Sequence, residues 1–260
     1  MKKFLSALFV LALCSFSTTS VQHMTTMPGA YKMLSQSATD GNQTQTSSAK
    51  QLKIYTDHYM MYGNVNPADS VSSFGVGSYT ESTGKVTEQV IYSASGNTSD
   101  DTLRSFNLDI EKTSKGYKQV IANMGPDNKY KLIEEYESVG TKVKSLLDGA
   151  WKLVKSYGIN GNDTTKYEVM QFKTYYAGHF IWGSTYTDSA SKKHTGIGFG
   201  DFEMNGNNKL KETIDNSTFS EIEGQTFNID IVLKSADWFK QTINNSDGTK
   251  DVQEYKRLGK

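Results

Sequence analysis

The chain has 260 residues and carries 28 Lys and Arg against 28 Asp and Glu, so it has no net charge and no basic surplus of the kind that marks nucleic-acid binding. Its negative mean hydropathy argues against an integral membrane protein. The length suits two domains of about 100–200 residues, each able to bury a core of its own.

The first twenty residues, "MKKFLSALFVLALCSFSTTS", place Lys2 and Lys3 before an apolar run from Phe4 to Leu13 and then small residues. That layout predicts a secretory signal peptide over residues 1–20. The run is shorter than the ~20 apolar residues a spanning helix needs, so no membrane span is expected. Cys14 raises lipid anchoring as an alternative, but Leu13 is bulky where a small residue should precede such a cysteine. Cleavage near Ser17 or Ser20 would leave a periplasmic or secreted chain without cysteine, so neither domain would have a disulfide.

Beyond the leader the sequence begins the same text twice. "GAYKML" at 29–34 and "GAWKLV" at 149–154 lie 120 positions apart, and "FNLDI" at 106–110 and "FNIDI" at 227–231 lie 121 apart. The stretch from His58 to Gly63 runs parallel to His179 to Gly183 with one residue dropped, and "EEYE" at 134–137 answers "QEYK" at 253–256. Four matches in one order identify a duplicated domain, too long for a solenoid unit of ~20–50 residues. The copies are expected over 27–140 and 145–260, with the boundary near 140–146. "SLLD" before Gly149 is expected to form one helical turn.

Short runs of β-branched and aromatic residues alternate with Gly, Asn, Asp and Ser clusters, which predicts strands joined by tight turns. In the second copy they fall near 150–157, 166–174, 179–187, 195–204, 208–214, 217–222, 226–234, 236–243 and 250–258, with turns at "NGND", "NGNN" and "SDG". Sheets of this kind avoid exposed edges by closing, so the expected fold is all-β: two tandem antiparallel up-and-down barrels of about 8–10 strands each. "GIGFG" at 196–200 puts three glycines on one strand face. No strand–helix–strand unit surrounds it, so it reads as a barrel corner rather than a phosphate loop.

A Gly-x-Trp opening the first strand (Gly149, Trp151), a preceding helical turn and a closing "EYKRL" at 254–258 resemble the lipocalin-like branch of the calycin barrels, as found in small bacterial secreted proteins. The resemblance spans roughly 27–138 and 147–260. It implies that Trp151 closes one barrel end with Arg257 lying across it, a contact that adds about 0.5–2 kcal/mol of cation–π attraction. The first copy offers Gly29, Tyr31 and Ser138 at these places, Tyr62 for Trp182, and Tyr117 for Trp238.

Signals for catalysis are weak. The four histidines show no metal-binding spacing, and there is no Gly-x-Ser-x-Gly elbow, so neither a metal nor a cofactor is expected. His58 and His179, and Glu88 and Glu212, recur as polar pairs on apolar strands. With Tyr62 and Trp182 they are the candidate ligand-binding residues, the histidines serving as partners for inward-facing glutamates. The expected function is the binding of a small apolar or amphipathic molecule inside a barrel. The alternative is a non-catalytic envelope module with solid barrels, and a cofactor-independent isomerase or cyclase of calycin type stays open. Inward-facing Phe172, Phe180, Trp182, Phe199 and Phe227 would mean a filled barrel.

Overall fold

The computed structural model describes residues 27–66, 71–125, 127–140 and 144–259. The expected signal peptide and Cys14 lie outside these residues. Among the described residues there is no α-helix, and the chain builds two closed antiparallel barrels in tandem, each with eight principal strands.

The first barrel comprises β1 (Gly29–Thr39), β2 (Thr44–Ser47), β3 (Lys50–Tyr55), β4 (Tyr59–Val65), β5 (Ser73–Ser82), β6 (Lys85–Ser95), β7 (Thr98–Asp100), β8 (Arg104–Lys112), β9 (Gly116–Met124) and β10 (Tyr130–Ser138). Short β2 and β7 are side pairings on β1 and β6, and β10 closes on β1 with Tyr31 opposite Ser138. The second barrel comprises β11 (Gly149–Asn160), β12 (Asp163–Lys166), β13 (Val169–Tyr176), β14 (His179–Thr187), β15 (Lys193–Asn205), β16 (Lys209–Ser217), β17 (Thr226–Ser235), β18 (Trp238–Asn244) and β19 (Lys250–Arg257). Its closure, β11 on β19, sets Trp151 opposite Arg257.

Two local expectations change. Residues 217–222 end β16 and then form a 3-10 turn at Ser220–Ile222. Ser217 Oγ accepts the Phe219 N–H at 3.0 Å and the Glu223 carboxylate accepts the Ser217 N–H at 2.9 Å, so side chains take the backbone groups a strand would need. "SLLD" forms a turn, with the Asp148 N–H donating to the Ser145 carbonyl at 3.2 Å, rather than a helix.

Strand alternation explains how the barrels meet. On β14, Phe180 and Trp182 point inward while Ile181 points out, and on β15 the glycines leave the inside open while Ile197 and Phe199 point out. The outward residues join Ile54, Met61, Phe74, Val76 and Tyr92 of the first barrel in one apolar cluster that also takes in Phe172. Phe172 and Phe199 therefore fill the seam between barrels, and only Phe180, Trp182 and Phe227 of the five tested aromatics belong to the interior. The seam is reciprocal: a Cβ on Gly63 would lie 3.0 Å from Ile197, and a Cβ on Gly183 would lie 2.4 Å from the Phe74 ring. Gly63 and Gly183 occupy equivalent strand positions, as do Phe74 and Ile197, so each barrel inserts the same knob into the same hole of the other. Tyr92 and Thr185 hydroxyls add a bond of 2.6 Å across it.

Candidate functional site

Each barrel carries a buried polar cluster at the corresponding place. In the second, β13 turns Lys173 and Tyr175 inward, two residues apart on one face. Lys173 Nζ donates to both carboxylate oxygens of Glu212 on β16, at 2.8 and 3.0 Å, and the Tyr175 hydroxyl donates to the same carboxylate at 2.6 Å. Gln241 and Gln253 continue the chain at 2.6 Å, and the Tyr255 hydroxyl donates to Gln253 at 2.8 Å while accepting from Gln171 at 2.6 Å. In the first barrel Lys53 pairs with Glu88 at 2.7 Å, Tyr55 donates to Glu88, and Gln119 and Tyr136 both donate to Glu134. A buried ion pair is tolerated only when its remaining polar atoms are satisfied, and here hydroxyls and amides do so. Burial first, and the neighbouring carboxylates second, push the phenols of Tyr55 and Tyr175 well above their ordinary 10.0, so both remain donors at neutral pH.

Above each cluster lies a cavity. The one in the second barrel measures about 340 Å³, with Trp182, Ile214, Phe219, Phe227, Ile229 and Ile243 as walls and Lys173, Glu212, Gln241 and Gln253 as its polar floor. The one in the first barrel measures about 280 Å³ and is more polar, with Gln36, Gln51, Asn64, Glu88 and Glu134 beside Tyr62 and Phe106. Gly198 makes room for the Trp182 indole, whose nitrogen would lie 2.5 Å from any Cβ there, and Gly75 does the same for Tyr62. Gly196 and Gly198 thus admit side chains into the barrel, whereas Gly200 lets the Thr213 carbonyl approach to within 2.0 Å of where a Cβ would lie, and the strand bulges between Phe199 and Gly200.

The far end of the second barrel is sealed. Trp151 is 0 % exposed, its indole N–H donates to the Leu147 carbonyl at 2.7 Å, and the Arg257 guanidinium lies 4.0 Å from its ring centroid. Arg257 also donates to the carbonyls of Asp148 at 2.6 Å, Leu146 at 3.1 Å and Ala236 at 2.9 Å, which ties the entering turn to the last strands. Gly149 is required here: its φ is +139°, and a Cβ would fall 1.9 Å from the guanidinium. In the first barrel the Tyr31 hydroxyl reaches the Met27 carbonyl at 3.1 Å, the position equivalent to Leu147, beside Gly29, and no guanidinium is opposite.

Tyr62 and Glu88 therefore share one cavity, and Trp182 and Glu212 the other, but neither histidine lines a barrel. His58 is exposed in a surface groove with Asp57, Asp148 and Arg257, and the strand register makes Tyr59, not His58, the counterpart of His179. His179 is buried outside the barrel, with Nδ1 2.7 Å from Asp201. The partners of Glu88 and Glu212 are Lys53 and Lys173, and the pattern Lys-x-Tyr at 53–55 and 173–175 was the signal that could have found them. Register also makes Phe239, not Trp238, the counterpart of Tyr117. Both stack on the last-strand tyrosine at 4.8 Å, whereas Trp238 lies outside between Lys234 and Lys256.

Among the described residues no group of three or more His, Cys, Asp or Glu side chains could hold a metal ion, and no helix is long and apolar enough to cross a membrane. No protein-family model matches the chain, and no curated protein matches it.

Proposed function

We propose that the chain is an exported, lipocalin-like binding protein whose second barrel holds a small, partly apolar ligand. The observation that carries this reading is the cavity of about 340 Å³ with apolar walls over a hydrogen-bonding floor, since small-molecule sites combine an apolar lining with a few fixed polar groups. Lys173 is neutralised by Glu212, so the floor offers amide, hydroxyl and ion-pair contacts to a polar end rather than a free charge. The body of the ligand lies against Trp182, Phe227 and Ile229. Export rests on the layout of residues 1–20, and the lipocalin-like character on the Gly149–Trp151 opening and the Arg257 closing strand.

The test is a titration of the mature chain with a panel of fatty alcohols, fatty acids, aromatics and sugars, followed by tryptophan emission and melting temperature. The reading predicts that an amphipathic member shifts both, saturably, at micromolar concentration. A panel that moves neither supports a solid barrel acting as an interaction module.

A further inference from the structure

The buried polar clusters of the two barrels differ by one charge. Gln253 on β19 and Glu134 on β10 occupy the same place in the register, facing Gln241 and Gln119 respectively on the neighbouring strand. Gln253 accepts from the Gln241 amide and the Tyr255 hydroxyl, and Glu134 accepts from the Gln119 amide and the Tyr136 hydroxyl, the same two donors. The second barrel thus demonstrates that a neutral amide satisfies this network. Glu134 is 4 % exposed, and its third partner, the Gln36 amide at 2.6 Å, is also neutral.

Among the described residues no lysine or arginine forms an ion pair with Glu134. Lys53 pairs with Glu88 at 2.7 Å and donates to the Gln119 side-chain oxygen at 3.2 Å, so one lysine serves a cluster of two carboxylates, and Arg104, which also lines the cavity, pairs with Asp100. Burying a carboxylate without a counter-charge is costly, and a cation in the adjoining space would offset that cost. The space exists: Glu134 lines the cavity of about 280 Å³ together with Tyr62, Phe106, Ile121 and Leu132. At roughly 30 Å³ per water-sized volume that is room for a molecule of about nine or ten heavy atoms.

We propose that the first barrel binds a small organic ammonium ion, its charged nitrogen on Glu134 and its apolar body against Tyr62, Phe106 and Leu132. The tandem would then carry two sites of different chemistry, one for a neutral-headed and one for a cationic ligand.

Calorimetric titration of the full mature chain with phenethylammonium, 2-phenylethanol and phenylacetate tests this, because the three probes share a body and differ in charge. Phenethylammonium should bind at least tenfold more tightly than the alcohol and phenylacetate more weakly still. Glu134→Gln, which copies the second barrel, should keep the melting temperature and erase the preference for the ammonium. Equal binding of ammonium and alcohol, no heat with any probe, or a preference that survives Glu134→Gln would each overturn the proposal. Glu134→Gln leaves the second barrel untouched, so a failure here is distinct from a failure of the Trp182 site.

Discussion

Removing Trp151 tests whether the sealed end holds the second barrel together. The indole is wholly buried, edge-on to Phe239 at 4.7 Å, and bonded to the Leu147 carbonyl. Truncation of such a residue to alanine costs about 3–5 kcal/mol, most of it lost burial plus the cavity left behind. Arg257→Ala removes the cation–π contact and charge-assisted bonds to three carbonyls, but its side chain is 23 % exposed and water replaces part of what is lost. A loss of about 2 kcal/mol is expected. With the guanidinium 4.0 Å from the ring centroid, the double variant should be less destabilised than the sum by about 1–2 kcal/mol. Urea unfolding followed by circular dichroism and by the emission of Trp182 and Trp238 measures all four corners of the cycle. The equivalent Tyr31→Ala and Ser138→Ala cycle should couple by less than about 0.5 kcal/mol. Strictly additive losses for Trp151 and Arg257 would refute the clip.

Three further outcomes follow from the geometry. Lys173→Met strands Glu212 and should destabilise by about 3–5 kcal/mol, whereas Lys173→Met with Glu212→Leu should recover most of the loss, and equal destabilisation of both variants by chemical unfolding would contradict the paired role. Residues 27–140 or 145–260 alone would expose the seam, and because that face is pseudo-symmetric each half should dimerise through it; sedimentation of stable, folded monomeric halves would count against the reciprocal packing. Burial raises the phenol pKa of Tyr31 to about 12 and pushes those of Tyr55, Tyr117, Tyr136, Tyr175 and Tyr255 well above 10.0. Their contribution to stability is complete below pH 10, where unfolded tyrosines titrate, and is lost as pH rises through the higher folded values, so tyrosinate absorbance should climb in two stages with the second accompanying unfolding. A single smooth titration near pH 10 would contradict this.

The barrels were legible because duplication and strand periodicity are local signals: "GAYKML" and "GAWKLV" mark equivalent strands, and Gly-Asn-rich turns separate the rest. Polar β12 was not legible, since its four exposed residues Asp163 to Lys166 carry no apolar alternation. The seam was half-visible. Strands such as "HFIWG" are apolar on both faces, which requires a cover on the outside as well as the core, but nothing in one strand says what supplies it. Of the site, Glu88, Glu212, Tyr62 and Trp182 stood out as recurring polar or aromatic positions. Lys53 and Lys173 did not, because a lysine on a strand ordinarily reads as solvated. The histidines misled because matching His58 to His179 requires dropping one residue, whereas the strand register keeps a constant offset of 120 from Lys53 to Gly63 and leaves His58 before the strand; a one-residue slip on a strand exchanges inside for outside.

The three tryptophans occupy three different environments: Trp151 in the sealed end, Trp182 in the cavity wall and Trp238 on the outer surface. Fluorine NMR of the chain labelled with 5-fluorotryptophan gives one resonance for each, and titration with an uncharged amphipathic ligand that raises the melting temperature of both the native chain and Glu134→Gln tests the second-barrel site most directly. Occupation of the cavity predicts a saturable shift of the Trp182 resonance with Trp151 and Trp238 nearly unmoved; a Trp182 resonance that stays in place while the melting temperature rises would contradict it.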